Sequence, residues 1–161
     1  GSEALRSGHA QLAIELLTQG LIQLRDANYG PFDPYFEGVL AQAHVATGQA
    51  RLARSRIEGF MQSRAALDCF CSAELLRQHA KLVVLTGEAD KAEALLRAAN
   101  DLAERQDAVP WKIRVVADLC ALLRARERVD EADRLADHAA ETIDDALRRR
   151  ILLPVDGSRS L

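Results

Sequence analysis

A short motif recurs four times along the 161-residue chain: a turn residue followed five places later by alanine. Successive copies begin 40, 39 and 40 residues apart, and only the last copy lacks a glycine at the turn. The copies are Gly8…Ala13, Gly48…Ala53, Gly87…Ala92 and Glu127…Ala132. A fixed period of this size is typical of stacked helical hairpins, which present extended surfaces for binding. The period therefore predicts an interaction protein rather than an enzyme with a single core, although it does not identify the ligand.

The composition favours an all-α protein. Ala and Leu, which are strong helix formers, supply about a third of the residues, whereas aromatic residues supply only 4%. The net charge of −3 and the pI near 5.8 argue against direct nucleic-acid binding, since such domains usually have a pI above about 9. No apolar run approaches the roughly 20 residues that span a bilayer. We therefore expect a cytoplasmic chain without membrane contact.

Apolar residues recur at helical spacing in seven segments that are separated by glycine, proline or polar turns. The expected helices are 9–27, 33–47, 50–65, 71–86, 88–106, 110–126 and 129–152. Because the connections are short, neighbouring helices are expected to be antiparallel. The alanine of each motif is then expected at the crossing of its hairpin, where a larger side chain would not fit.

These helices are expected to form one domain over 3–152. Its repeat units are about 8–30, 31–68, 69–108 and 109–152. The dipeptide Gly1-Ser2 indicates a tag remnant, and 153–161 is expected to be a flexible tail. The first and last helices lack outer neighbours, and the last carries Ala136, Ala140 and Ile143 beside its inner apolar stripe. We expect each end to be covered by further sequence or by a second copy, which would give a homodimer.

The sequence contains no pattern that predicts a catalytic, cofactor or metal site. Glycine-rich phosphate loops and the H-E-x-x-H helix are absent. The four histidines lie in four separate units: His9, His44, His79 and His138. The three cysteines, Cys69, Cys71 and Cys120, are too few and too irregular for a disulfide framework. They are expected to be structural thiols, with a metal or redox role of Cys69 and Cys71 as the alternative.

The expected binding surface is the concave face built from the first helix of each hairpin. On the helix 71–86, three charged residues are spaced three and four apart and so share one stripe. The candidate ligand contacts on this face are Tyr35, Gln42, Glu74, Arg77, Lys81, Arg114 and Arg124. A groove richer in cations than in anions suits a peptide carboxylate or a small acidic effector. The alternative is a solvated face of salt bridges.

Two other features also allow two interpretations. Trp111, the only tryptophan, either packs between hairpins or stacks on a ligand, and packing is favoured. The run Arg148-Arg149-Arg150 either complements the dipole at a helix end or contacts a membrane or nucleic acid. The helix end is favoured.

The hairpins resemble tetratricopeptide repeats. Ala41…Gly48…Ala53 and Ala80…Gly87…Ala92 have the form A-x₆-G-x₄-A, although the period exceeds the standard 34 residues. This longer unit resembles the arrays of bacterial MalT-like activators and of predicted ATPases linked to adenylate cyclase or winged-helix domains. The similar stretches are Pro34-Tyr35-Phe36…Leu40-Ala41, Ala73-Glu74-Leu75-Leu76-Arg77, Ala89-Asp90-Lys91-Ala92-Glu93 and Trp111-Lys112-Ile113-Arg114. The resemblance covers about 8–145 and departs from the pattern at Glu127.

The resemblance implies a right-handed superhelix of antiparallel hairpins. It also implies a sensor or interaction array, which in such bacterial signalling and transcription regulators binds an inducer or a partner protein. That binding controls a nucleotide-driven switch elsewhere in the polypeptide. Two alternatives stay open: a stand-alone scaffold or co-chaperone that binds peptide termini, and an enzyme.

Overall fold

The computed structural model describes residues 2–29, 33–62 and 69–152, and the side chains of 9–29, 33–62 and 69–144. The described residues form seven α-helices and no strand, which confirms the all-α prediction. The helices are α1 (Ser2–Asp26), α2 (Asp33–Ala46), α3 (Ala50–Met61), α4 (Ser72–Leu85), α5 (Ala89–Arg105), α6 (Val109–Ala125) and α7 (Val129–Leu152). The expected tail 153–161, residue Gly1, residues 63–65 and the side chains of Arg148–Arg150 lie outside the described residues.

The first helix is longer than its sequence predicts, and Gly8 is not a turn. The helix begins at Ser2 rather than at residue 9, so Gly8 lies within it. The preceding Glu3, Ala4 and Leu5 are good helix formers, and one interior glycine costs only about 1 kcal/mol relative to alanine. The other helix bounds agree with prediction to within one residue, except that α3 ends at Met61.

Five turns between helices share one backbone conformation. In each turn, a residue in the left-handed region follows the helix, and the next N–H donates to the carbonyl five residues earlier, as in a Schellman motif. The left-handed residues are Asn28 (φ 56°), Gly48 (φ 77°), Gly87 (φ 80°), Asp107 (φ 49°) and Glu127 (φ 60°). The closing donor–acceptor pairs are Tyr29–Leu24, Gln49–His44, Glu88–Val83, Ala108–Ala103 and Arg128–Leu123, at 2.8–3.1 Å.

The last hairpin therefore turns in the same way as the others, although Glu127 stands where Gly48 and Gly87 stand. Asn and Asp adopt the left-handed region more readily than most residues, which suits Asn28 and Asp107. Glu has no such preference, and the conformation costs about 1–2 kcal/mol for an ordinary residue. The turn geometry is thus set by the packing of the helices on either side.

Helix α4 is the centre of the packing. It contacts α2, α3, α5 and α6, while α1 packs on α2 and α7 packs on α6. The alanines of the last three motifs, Ala53, Ala92 and Ala132, are all 0% exposed, as predicted for hairpin crossings. Contacts of α2 with α4 and of α4 with α6 place these three first helices in one row. The candidate site lies along this row.

Candidate functional site

Between α4 and α6, four polar side chains form what we call the charge cluster: Glu74, Arg77, Gln78 and Asp118. The Arg77 guanidinium donates from Nε to Glu74 Oε2 (2.8 Å) and from Nη2 to Glu74 Oε1 (2.7 Å). Its Nη1 donates to Asp118 Oδ2 (2.5 Å), and Gln78 Nε2 donates to Glu74 Oε1 (2.7 Å). Glu74 and Arg77 are buried. The cluster therefore ties α4 to α6 by a bidentate ion pair and a second carboxylate.

The electrostatics of the cluster keep both buried partners charged. Burial acts to raise the pKa of Glu74, but hydrogen bonds from Arg77 and Gln78 outweigh it and hold the pKa below its ordinary value. The hydrogen bond to Glu74 raises the pKa of Arg77 against the effect of burial. Removing one partner would leave the other as an uncompensated buried charge.

Arg77 is consequently not an open cation for a ligand, which corrects that part of the sequence interpretation. The spacing placed it correctly on the stripe with Glu74, but its guanidinium is already engaged by two carboxylates. The second of these, Asp118, was missed because it lies 41 residues away on another helix. The repeat offers one signal: 40 residues before Asp118 stands Gln78, which neighbours Arg77.

On the C-terminal side of the charge cluster, a groove of about 240 Å³ opens between α2 and α4. We call it the α2–α4 groove; its lining is Ala41, Gln42, Val45, Gln78, Lys81, Leu82 and Leu85. Leu85 is 62% exposed, and the neighbouring Val84 is 44% exposed. Among the described side chains, no carboxylate forms an ion pair with Lys81, in contrast to Arg77. The groove thus combines an apolar lining with an available cation.

On the N-terminal side, Tyr35, Trp111 and Arg114 form an aromatic cluster that joins α2 to α6. The ring centroids of Tyr35 and Trp111 are 6.4 Å apart, and the guanidinium carbon of Arg114 lies 5.5 Å from the Trp111 ring. Arg114 Nη1 is also 3.7 Å from Glu74 Oε1. Trp111 therefore packs between hairpins, as expected, while the Arg114 side chain stays 57% exposed.

Arg124 lies apart from the other candidate residues. Its Nη2 donates to Asp133 Oδ1 (2.7 Å), and both side chains are more than half exposed. It lines a different groove, of about 360 Å³, between α6 and α7. The structure thus brings Gln42 together with Lys81, and Glu74 with Arg77 and Arg114, but it does not add Arg124 to either set.

The described residues contain no group of three or more His, Cys, Asp or Glu side chains arranged to hold a metal ion. His44 Nδ1 lies 3.0 Å from Gln49 Oε1, and His79 Nε2 lies 3.3 Å from Glu58 Oε1. Burial lowers the pKa of His79 despite this carboxylate. Both histidines are buried and have protein partners, as the structural interpretation predicts.

Comparisons of the chain with family models, with curated proteins and with solved structures found no match. Within the part of the chain that the structure describes, no helix has the length and apolar character needed to cross a bilayer.

Proposed function

We propose that this chain is a non-catalytic interaction module that binds a peptide in the α2–α4 groove. The observation that carries the proposal is the position of Lys81, which is a cation without an ion-pair partner beside an apolar lining. An apolar peptide side chain would bury its surface against Val45, Leu82 and Leu85. A peptide carboxylate would accept a charge-assisted hydrogen bond from Lys81 Nζ. The chemistry selects an acidic group next to an apolar one.

The larger setting that we propose is a tetratricopeptide-like superhelix within a bacterial signalling or transcription regulator in the cytoplasm. Three features support stacked hairpins: the shared turn geometry, the buried alanine at each crossing and the row of α2, α4 and α6. In that setting the groove receives a partner protein or an acidic effector. The absence of catalysis and of direct nucleic-acid or membrane contact belongs to the same proposal.

A stand-alone scaffold or co-chaperone is the second candidate, and the groove favours it in one respect. Lys81 with the Gln42 amide nearby would recognise the free carboxylate of a peptide terminus as well as an acidic side chain. Other domains on the parent polypeptide would distinguish the two settings. An enzyme has no such supporting observation.

Self-association through the ends stays a prediction. The α1 side exposes Leu12 (52%) and Leu16 (60%), and a groove of about 480 Å³ runs between α1 and α2. The α6–α7 groove lies at the other end of the row. A solution mass measurement by sedimentation tests whether these apolar surfaces pair.

The peptide proposal is tested with a library of octapeptides that end in apolar residues, each with a free or an amidated terminus. We expect binding, followed by fluorescence anisotropy, to fall about tenfold or more for Lys81→Met, as a charge-assisted bond of ~1.5–3 kcal/mol requires. The matched control is Lys91→Met, because Lys91 lies on α5 and pairs with Glu58 (3.3 Å). Equal loss in both variants, or no peptide binding by the unmodified chain, would contradict the proposal.

A further inference from the structure

Two cysteines meet at the start of α4. Cys69 and Cys71 flank Phe70, and their Sγ atoms are 2.9 Å apart. Both are thiols in the structure. A disulfide bond measures about 2.05 Å, so the two sulfurs need to approach by less than about 1 Å to be joined.

The backbone holds this arrangement in place. The Cys69 N–H donates to Ser72 Oγ (3.2 Å), and the Ser72 N–H donates to the Cys69 carbonyl (3.1 Å). Gln106 Nε2, at the end of α5, donates to the same carbonyl (3.0 Å). The Leu75 N–H donates to the carbonyl of Cys71 (3.1 Å), so that Cys71 caps α4. The segment is therefore already ordered, and closing a bond within it costs little further conformational entropy.

The two thiols differ in access to solvent. Cys69 is half-buried, whereas Cys71 is 0% exposed. Burial, together with the hydrogen bond to Cys69, raises the pKa of Cys71 to about 12. A solute can therefore reach Cys69, while Cys71 is positioned to react with Cys69 itself. Such a division between an attacking and a resolving thiol is the usual arrangement for thiol–disulfide exchange.

We propose that Cys69 and Cys71 form a reversible dithiol–disulfide pair that is oxidised by small disulfides of the glutathione type. The Cys69 thiolate attacks one sulfur of the small disulfide; a mixed disulfide forms, and one small thiolate leaves and takes a proton from water. Cys71 then gives its proton to water, attacks Cys69 Sγ and displaces the second small thiolate, which is protonated in turn. Two protein thiols are oxidised, and one small disulfide is reduced to two thiols.

The third cysteine provides an internal control. Cys120 is buried, and its thiol donates to the carbonyl of Ala132 (3.3 Å) inside the hairpin of α6 and α7. It has no second sulfur beside it among the described residues. It should stay a thiol under conditions that oxidise the pair.

The test treats the reduced full-length chain with oxidised glutathione at neutral pH. The product is unfolded, alkylated with N-ethylmaleimide and mapped by mass spectrometry. We expect a bond between Cys69 and Cys71, one maleimide on Cys120 and no retained glutathione. A time course of the unmodified chain should show one transient glutathione adduct at Cys69. Lasting glutathione on Cys69, a disulfide-linked dimer, or maleimide on all three cysteines would overturn the proposal.

Variants separate the two steps. Cys71→Ser should stop the reaction at a stable glutathione adduct on Cys69, and Cys120→Ala should close the bond as the unmodified chain does. Because Cys71 is buried, Cys71→Ala is made as a second version, and the helical circular dichroism of each variant is checked. The time course on the unmodified chain needs no variant and decides the matter if neither folds. Closure in Cys71→Ser would mean that Cys120 resolves the adduct, which the proposal excludes.

Discussion

The contacts that bridge α3 to α5 and those that bridge α5 to α7 form the same ring of four charges with every sign reversed. The first ring consists of Arg54, Glu58, Glu88 and Lys91. Arg54 pairs with Glu58 (2.9 Å) and with Glu88, and Lys91 pairs with Glu58 (3.3 Å) and Glu88 (3.8 Å).

The second ring consists of Glu93, Arg97, Arg128 and Glu131. Glu93 pairs with Arg97 (2.8 Å) and Arg128 (2.7 Å), while Glu131 pairs with both of the same arginines at 2.6 Å. Each member lies 39 or 40 residues after its counterpart in the first ring, and each carries the opposite charge.

The difference separates what the repeat fixes from what it leaves open. Helix register and turn geometry fix where the four side chains meet, whereas either sign satisfies the ring. The reversal also makes the two interfaces distinct. If α3 were to stack against α7, Arg54 would face Arg128 and Glu58 would face Glu131, and like charges at such positions are destabilising. The rings thus help to specify which hairpin lies beside which.

The largest effect is expected where the rings share a core rather than in the charges themselves. Ala92 and Ala132 open the helices behind the two rings, and both are fully buried. We expect Ala92→Leu to lower the free energy of unfolding by about 1–3 kcal/mol through overpacking, as measured by urea denaturation. Ala132→Leu should cost less, because α7 packs chiefly on α6 and can shift outward.

The exposed change Glu88→Gln serves as the control for these alanine variants. Its effect on the midpoint should be far smaller than that of Ala92→Leu. Equal shifts in the two would mean that Ala92 does not lie in a tight hairpin crossing.

The turns before the two rings should respond in opposite directions to substitution. Gly87 and Glu127 both have positive φ, and a Cβ on Gly87 would meet nothing within 4 Å. The effect of Gly87→Ala is therefore conformational, and we expect a loss of about 1 kcal/mol in unfolding free energy. Glu127→Gly should gain up to about 1 kcal/mol, since relief of strain exceeds the added freedom of the unfolded chain. Thermal melts of both variants check the signs, and a shared sign would mean that the two turns differ in conformation.

Much of this architecture was predictable from sequence, because apolar spacing and turn residues act locally. The helices that end at Gly48 and Gly87 were predicted to within one residue. The turns at Asn28 and Asp107 were not recognised as equivalent to them, since no glycine marks their shared geometry. The motif at Gly8 misled because a turn glycine also fits inside a helix that has nothing packed before it.

The candidate site was predicted less well, for a physical reason. A stripe of charges on one helix can be read from spacing, and Lys81 and Gln42 do share a groove. Whether a cation is available depends on carboxylates that fold against it from elsewhere, as Asp118 does for Arg77. The rings were missed for the same reason, because their partners lie 33–35 residues apart on different helices.

A modest effect is expected from the charges of a single ring. Arg54→Glu would set a third negative charge beside Glu58 and Glu88, and we expect the melting temperature to fall by about 2 °C. Reversing all four residues together (R54E/E58R/E88R/K91E) copies the signs of the second ring and should restore it. Differential scanning calorimetry at low and at 1 M salt checks this, because screening should shrink the loss. A fourfold variant no more stable than the single one would show that sign matters beyond the ring.

The smallest effect is in acid titration, and it compares one carboxylate from each ring. The hydrogen bond from Arg54, aided by Thr86, lowers the pKa of Glu88 to about 2, and the hydrogen bond from Arg97 lowers that of Glu131. A depressed folded pKa means that the stabilisation is present above the unfolded value of about 4.3 and is lost as the pH falls towards 2. Carboxyl-carbon NMR should show Arg54→Met raising the pKa of Glu88 alone and Arg97→Met raising that of Glu131 alone. If Glu88 titrates at its ordinary value in the unmodified chain, the first ring does not persist in solution, and the sign reversal loses its structural meaning.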